Sequence, residues 1–268
     1  MNALERDNLQ QIDALNQRGG RTLSVVDLID ANTIDVDMAA YLFCCVANGA
    51  SFLTAAQPGG AGKSTVLAAL LNFLPPGTRI ITTSRPGVID EELRHKPNEP
   101  TCVLAHEIGS GRWFGYIWGE SVAKYLRLIE GRRRIGSCQH ADTMEELTAI
   151  LSAAPLHVTP EELLRLDLAL FMHVDSGFAR TRRRVCAVHE CSGHDHPMIF
   201  TWHKSEDAFE KLTRSVLLPR LAERQGKDAA AVQAELTKAR DFIADLVADD
   251  VRLIQDVREE VIAYYGVT

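Results

Sequence analysis

One stretch, residues 51–65, constrains this chain more than any other. It opens with Ser51-Phe52-Leu53-Thr54-Ala55, a short apolar run that reads as a buried strand. Gln57-Pro58-Gly59-Gly60-Ala61-Gly62 follows, a segment that cannot continue either a strand or a helix. A helix is then expected over 64–73, stopped by Pro75-Pro76-Gly77. A chain that leaves a strand through a glycine turn straight into a helix is set up for a crossover to a parallel neighbour.

The rest of the chain repeats the pattern. Strands are expected at 78–83, 101–105 and 134–138, and helices at 122–129 and 143–151. Another helix starts at Thr159-Pro160-Glu161-Glu162, with Thr159 as N-cap and Pro160 in the first turn. Strand–helix alternation from 51 to about 170 predicts an α/β fold with a mainly parallel sheet. Upstream, helices are expected over 1–18, ending at Arg18-Gly19-Gly20, over 23–29, and over 35–47, the last apolar enough to be buried. Downstream, 183–190 and 198–202 read as two antiparallel strands, and from Ser205 onward the pattern is helical, with Gly226 as the main break. The 268 residues, 46% apolar, suffice for a large core. The expected division is 1–30, a short helical segment; 31–204, the α/β core; and 205–268, a C-terminal helical segment.

The glycine loop has a chemical meaning in this setting. Glycines let backbone N–H groups converge on phosphate oxygens, and the N-terminus of the following helix adds partial positive charge. In Gln57-Pro58-Gly59-Gly60-Ala61-Gly62-Lys63-Ser64-Thr65 the ammonium of Lys63 is placed to reach the outer phosphates of a nucleotide, and Ser64 to ligate Mg²⁺. Pro58, Gly59, Gly60, Ala61, Gly62, Lys63, Ser64 and Thr65 are therefore the candidate ATP-binding residues. The pattern G-x-x-x-x-G-K-[ST] has one departure, Gln57 in place of the first glycine, which is tolerable while φ stays negative there.

Beyond the loop, several segments resemble the motor domain of the type II/IV secretion ATPases, in particular its archaeal-type branch. Residues 38–55 resemble the helix and strand that lead into that family's loop, and Leu71-Asn72-Phe73-Leu74-Pro75-Pro76-Gly77 the segment after it. Ile135-Gly136-Ser137-Cys138-Gln139-His140-Ala141 resembles its His box, Arg182-Arg183-Arg184-Val185 its sheet-edge segment, and 236–265 its terminal helices. The resemblance implies a RecA-like P-loop NTPase core that uses ATP and Mg²⁺. It implies a homo-oligomer, a hexameric ring, working in the cytoplasm at the inner face of a membrane on a membrane-embedded secretion or pilus assembly protein. Of the additional N-terminal domain usual in that family, only about 30 residues are expected here.

The catalytic parts depart from the family pattern in one place and keep it in another. An acidic pair is usual after the second strand, where this chain reads Thr83-Ser84-Arg85-Pro86; Asp90, Glu91 and Glu92 follow as substitutes or as the start of a solvated helix. The next strand, 102–105, keeps its Glu107, which is expected to polarise water and support Mg²⁺. His140 is expected beside the outer phosphate. Arg85, Arg94, Arg112 and the run 132–134 are the candidates for an arginine acting on a neighbouring subunit. Two other readings follow from the same residues: a nucleotide-binding scaffold or regulator that has lost turnover, and a small-molecule kinase, against which the His box and helical tail argue.

Cys186, His189, Cys191, His194 and His196 crowd one stretch with zinc-type donors, but strand alternation turns Cys186 and His189 to opposite faces. The six cysteines are scattered as in a reduced protein rather than paired. A net charge of −7 argues against bulk nucleic-acid binding, and no apolar run approaches the roughly 20 residues of a membrane span.

Overall fold

The computed structural model describes residues 1–16, 19–95, 99–176 and 181–266; the first helix, expected over 1–18, ends at Asp13 with Ala14 as its C-cap, and residues 17–18 lie outside the described residues. The chain begins with α1 (Ala3–Asp13), α2 (Val25–Asp30) and α3 (Val36–Ala47). The central region runs β1 (Phe52–Ala55), α4 (Lys63–Leu71), β2 (Arg79–Thr82), α5 (Val88–Arg94), β3 (Thr101–Leu104), β4 (Glu107–Ile108), β5 (Tyr116–Ile117), α6 (Ser121–Arg127), β6 (Arg133–Gln139), α7 (Met144–Ser152) and α8 (Pro160–Leu163). It ends with β7 (Leu168–Ser176), β8 (Thr181–Glu190), β9 (Met198–His203), β10 (Ala208–Lys211), α9 (Leu217–Glu223), α10 (Ala229–Ala248) and α11 (Ile254–Tyr264).

Helix starts follow the local chemistry. The Asp35 carboxylate accepts from the Met38 N–H at 2.7 Å, and Thr159 with Glu162 forms a reciprocal capping box around Pro160.

The sheet order is β10-β9-β8-β7-β1-β6-β3-β2, with β4 beside β6 and β5 beside β4. β7, β1, β6, β3 and β2 are parallel to one another, and β8, β9 and β10 extend the sheet antiparallel. Alternation assigns the two faces. Phe52, Cys102, Leu104, Cys138, Leu168 and Leu170 pack under α1–α4 and α9–α11. Leu53, Val103, Ile135, Ala169 and Phe171 pack under α5–α8. The result is an α/β fold with helices on both faces of one sheet.

Two strands depart from the sequence reading. β7 went unrecognised because Leu168-Ala169-Leu170-Phe171-Met172 is made of good helix formers without alternation. Burial on both faces makes it a strand, since a continuous apolar run suits an interior position. β10 lies inside the stretch expected to be wholly helical, where it pairs with β9 from Ala208↔His203 to Lys211↔Phe200.

The first and last helices are tied to the core by polar contacts. Asn8 donates to Thr78 O at 2.8 Å and accepts from Ile80 N at 2.9 Å; Gln11 donates to Ile80 O and accepts from Thr82 N. Glu5 and Arg258, only 2% and 3% exposed at their side chains, pair at 2.8 Å while Arg258 also donates to Asn72 O and Leu74 O. Buried Glu190 accepts from the Tyr41 hydroxyl at 2.6 Å, the Ser215 hydroxyl at 2.5 Å and Val216 N at 2.7 Å, which fixes the entry to α9.

Candidate functional site

Parallel strands deliver three segments to one edge of the sheet. β1 runs into the glycine loop, β3 leads to Glu107 on β4, and β6 runs into His140. Such an edge, outside the carboxyl ends of parallel strands, is where open α/β sheets place their sites.

The loop takes the shape its glycines allow. Gly60 has φ +79° and Gly62, the N-cap of α4, φ +101°. A Cβ on Gly62 would come 3.1 Å from Met172 Cε, so backbone conformation and space both select glycine there. Gln57 is not among the residues with positive φ, as its place at the loop start requires. Its N–H donates to Asp142 at 2.7 Å, and its side chain bonds Glu146, so α7 holds the loop's outer end.

Lys63 opens α4 and is buried, 6% exposed. Its ammonium donates to Ala56 O at 3.0 Å, and burial holds its pKa below the usual lysine value. Thr54 beneath it donates to Lys63 O at 3.1 Å and lies 3.2 Å from Cys138 Sγ, a thiol that burial pushes up to about 11.

His140 Nδ1 lies 2.6 Å from Gln57 O, an acceptor only, so that nitrogen carries the proton. Nε2 then points toward Glu107, 3.4 Å from its carboxylate oxygen, and a hydrogen bond forms across that gap only when the ring takes a second proton. Glu107 stands in register with Tyr116 across the β4–β5 pair. The phenol pKa is pushed up to about 12, first by burial and then by that carboxylate.

A cavity of about 1010 Å³ opens over these groups. Gly59, Gly60, Ala61, Gly62, Lys63, Ser64, Thr65, Glu107 and His140 all line it; Pro58 is exposed at the loop's outer end and is not part of the wall. Sequence reasoning missed further wall residues, Tyr116 and Arg183 among them. Tyr116 sits on a two-residue strand too short to read from pattern. Arg183 reaches in from β8 and donates to Gly60 O at 2.9 Å; the only sequence signal was its place in a triple-arginine run.

Other sequence candidates lie elsewhere. Arg85 pairs with Glu91 through two bonds of 2.7 Å, Asp90 with Lys124 at 2.8 Å, and Glu92 with buried Arg133 at 3.5 Å, so these acids answer cations outside the cavity. Thr83 donates to Gly115 O at 3.0 Å. Arg94 donates to its own helix at Asp90 O, Arg134 turns back onto Gly131 O, and neither Arg112 nor Arg132 lines the cavity. In the Cys/His stretch, Cys186 bonds Phe171 O, Cys191 bonds Leu164 O, and His196 Nε2 lies 2.8 Å from Leu166 O. Among the described residues no three His, Cys, Asp or Glu side chains are gathered to hold a metal ion. Among them, too, no helix is long and apolar enough to cross a membrane.

No protein-family model matches the chain. It is similar to two uncharacterized proteins of Methanocaldococcus jannaschii. MJ0900 is 22% identical over 91% of this chain and 49% of its own length, and MJ1287 is 25% identical over 82% and 90%. The chain thus spans about half the length of the first. Among solved structures it is similar to the VirB11 ATPase of the Brucella suis type IV secretion system, with 16% identity, 71% of this chain, 56% of that one and a TM-score of 0.40. It is also similar to the Legionella pneumophila ATPase DotB, with 13% identity, 82% and 62% coverage and a TM-score of 0.38.

Proposed function

We propose that this chain binds ATP at the loop 57–65 and hydrolyses it. One observation carries the reading: a buried ammonium, an imidazole and a carboxylate meet at the mouth of a glycine loop that opens a helix. The donor set fits a nucleotide with its metal. The Lys63 ammonium spends a single hydrogen bond on a neutral carbonyl, and the space over Gly59 is open, with nothing within 4 Å of where a Cβ would stand. Ser64 faces the same cavity as Glu107, so its hydroxyl would hold Mg²⁺ with Glu107 behind it. The ion would neutralise phosphate charge. Lys63 and the loop N–H groups bind and orient the phosphates, Glu107 takes the proton from the attacking water, and His140 Nε2, an acceptor while Nδ1 carries the proton, orients that water.

The resemblance of the loop, the His box and the terminal helices extends the proposal. In it, residues 31–204 form a RecA-like motor core, with 1–30 and 205–268 packed on it. Hexameric rings of this chain would act in the cytoplasm, at the inner face of a membrane, on a membrane-embedded secretion or pilus assembly protein. Phosphate release by wild-type protein, compared with Lys63→Ala, tests the core claim; equal rates end it.

A second reading has its own support. No carboxylate stands at 83–86, and Arg85 is engaged by Glu91. A chain that binds ATP without turnover, serving as a scaffold or regulator, fits that loss. ATP binding without phosphate release, in the assembled as well as the dispersed protein, would select it.

A further inference from the structure

We infer that Arg183 is a phosphate-binding residue of the same site, contacting the polyphosphate of the nucleotide held by its own chain. The inference rests on the nucleotide reading above and adds a residue to it.

The argument is one of charge and placement. Four arginines line the cavity beside Lys63. Arg21 is paired with Asp27. Arg182 is paired with Asp175 at 3.2 Å and Asp207 at 3.6 Å, and Arg184 with Asp207 at 2.7 Å. Among the described residues Arg183 has no carboxylate partner. Its one hydrogen bond runs from Nε to the neutral Gly60 O at 2.9 Å, which leaves the terminal nitrogens of the guanidinium uncommitted.

The strand explains why this arginine differs from its neighbours. Arg183 is opposite Val174 across the β7–β8 ladder, and Val174 packs on the face of the sheet that carries α4. Alternation turns Arg182 and Arg184 away from that face. Arg183 extends over the loop, its Cδ 3.5 Å from where a Gly62 Cβ would stand. It is exposed, so moving it onto an anion carries little desolvation cost. A triphosphate brings more negative charge than Lys63 and the helix terminus offset, and a planar guanidinium braced by Nε presents its other edge to phosphate oxygens.

Calorimetric titration of Mg-ATP into wild type, Arg183→Ala and Arg183→Lys, at low and high salt, tests this. Arg183→Ala is expected to weaken binding between about 10- and 100-fold and to flatten its salt dependence, with Arg183→Lys recovering part of both. Affinity within about twofold of wild type, or equal losses in both variants with unchanged salt dependence, overturns the assignment; the second result marks a loop brace. Mixing Arg183→Ala with Lys63→Ala separates same-chain from neighbour action. Restored affinity in the mixture overturns the same-chain claim, and no rescue supports it. A wild-type chain that takes up no ATP ends the nucleotide reading and this inference together, whereas an unaffected Arg183→Ala ends this inference alone.

Discussion

Lys63 Nζ and His140 Nδ1 lie 3.4 Å apart, and with the proton on Nδ1 neither has a lone pair to offer the other. Each gives its hydrogen to a carbonyl at the start of the same loop, Lys63 to Ala56 O and His140 to Gln57 O. The start of α4 and the end of β6 thus grip adjacent peptide groups just past β1, which pairs with β6 from Phe52↔Gly136 to Ala55↔Gln139. Lys63→Ala removes one of those grips and the buried charge. Mg-ATP affinity is expected to fall about 100-fold or more by calorimetry, with the circular dichroism spectrum unchanged. Retained affinity would mean that the loop does not bind phosphate.

Among the described residues no lysine or arginine pairs with Glu107, and only His140 stands within 4.0 Å of its carboxylate as a possible cation, at 3.4 Å. Glu107→Gln keeps the shape and removes the proton acceptor. Phosphate release is expected to drop about 100-fold or more while ATP affinity stays within a few-fold of wild type. A drop in affinity instead would place Glu107 in binding rather than turnover.

His106 is buried between β3 and β4, both ring nitrogens without a partner among the described residues, and burial pushes its pKa down to about 4 from 6.5. The unfolded chain takes up this proton below pH 6.5, and the folded chain does not until about pH 4. Stability is therefore full above pH 6.5 and is lost progressively down to pH 4, by about 3 kcal/mol. Urea unfolding across that range reads the slope. His106→Leu should flatten it and leave stability at pH 7.5 equal or higher, since no orphaned nitrogen remains. Asp207, held below its ordinary range first by its bond to Arg184, acts in a separate window: its contribution is present above about pH 3.8 and is lost below it.

The Glu5–Arg258 pair joins the first turn of α1 to α11 in a place water does not reach. Glu5→Ala leaves a buried guanidinium uncompensated and is expected to cost about 3–5 kcal/mol. Glu5→Leu with Arg258→Met should recover much of that loss. A double variant as unstable as the single one would show that the carbonyl bonds of Arg258 to Asn72 and Leu74, not the charge pair, hold α11.

The α/β class, the mainly parallel sheet, the glycine loop and its helix were legible because hydrophobic alternation and glycine placement are local properties. Lys63 could be named from the spacing of the loop itself, whereas Glu107 and His140 were named from the resemblance to the secretion ATPases, each just past the end of an expected strand. β7 was not legible, since Leu, Ala and Met favour a helix until two helical layers bury them. Arg183 was hidden for a different reason. Its role depends on which carboxylates claim Arg182 and Arg184, and Asp175 and Asp207 find them only through the β7–β8 ladder and the turn before β10.

The amides of Asn8 and Gln11 occupy the outward backbone groups of β2 as another strand would. They also stop after four residues, which a pairing strand from a second molecule would not do. The sheet is therefore blunted on its β2 side, and removing α1 would bare a template for intermolecular β-pairing. A chain shortened by its first helix should then precipitate on concentration before any loss of ATP affinity becomes measurable.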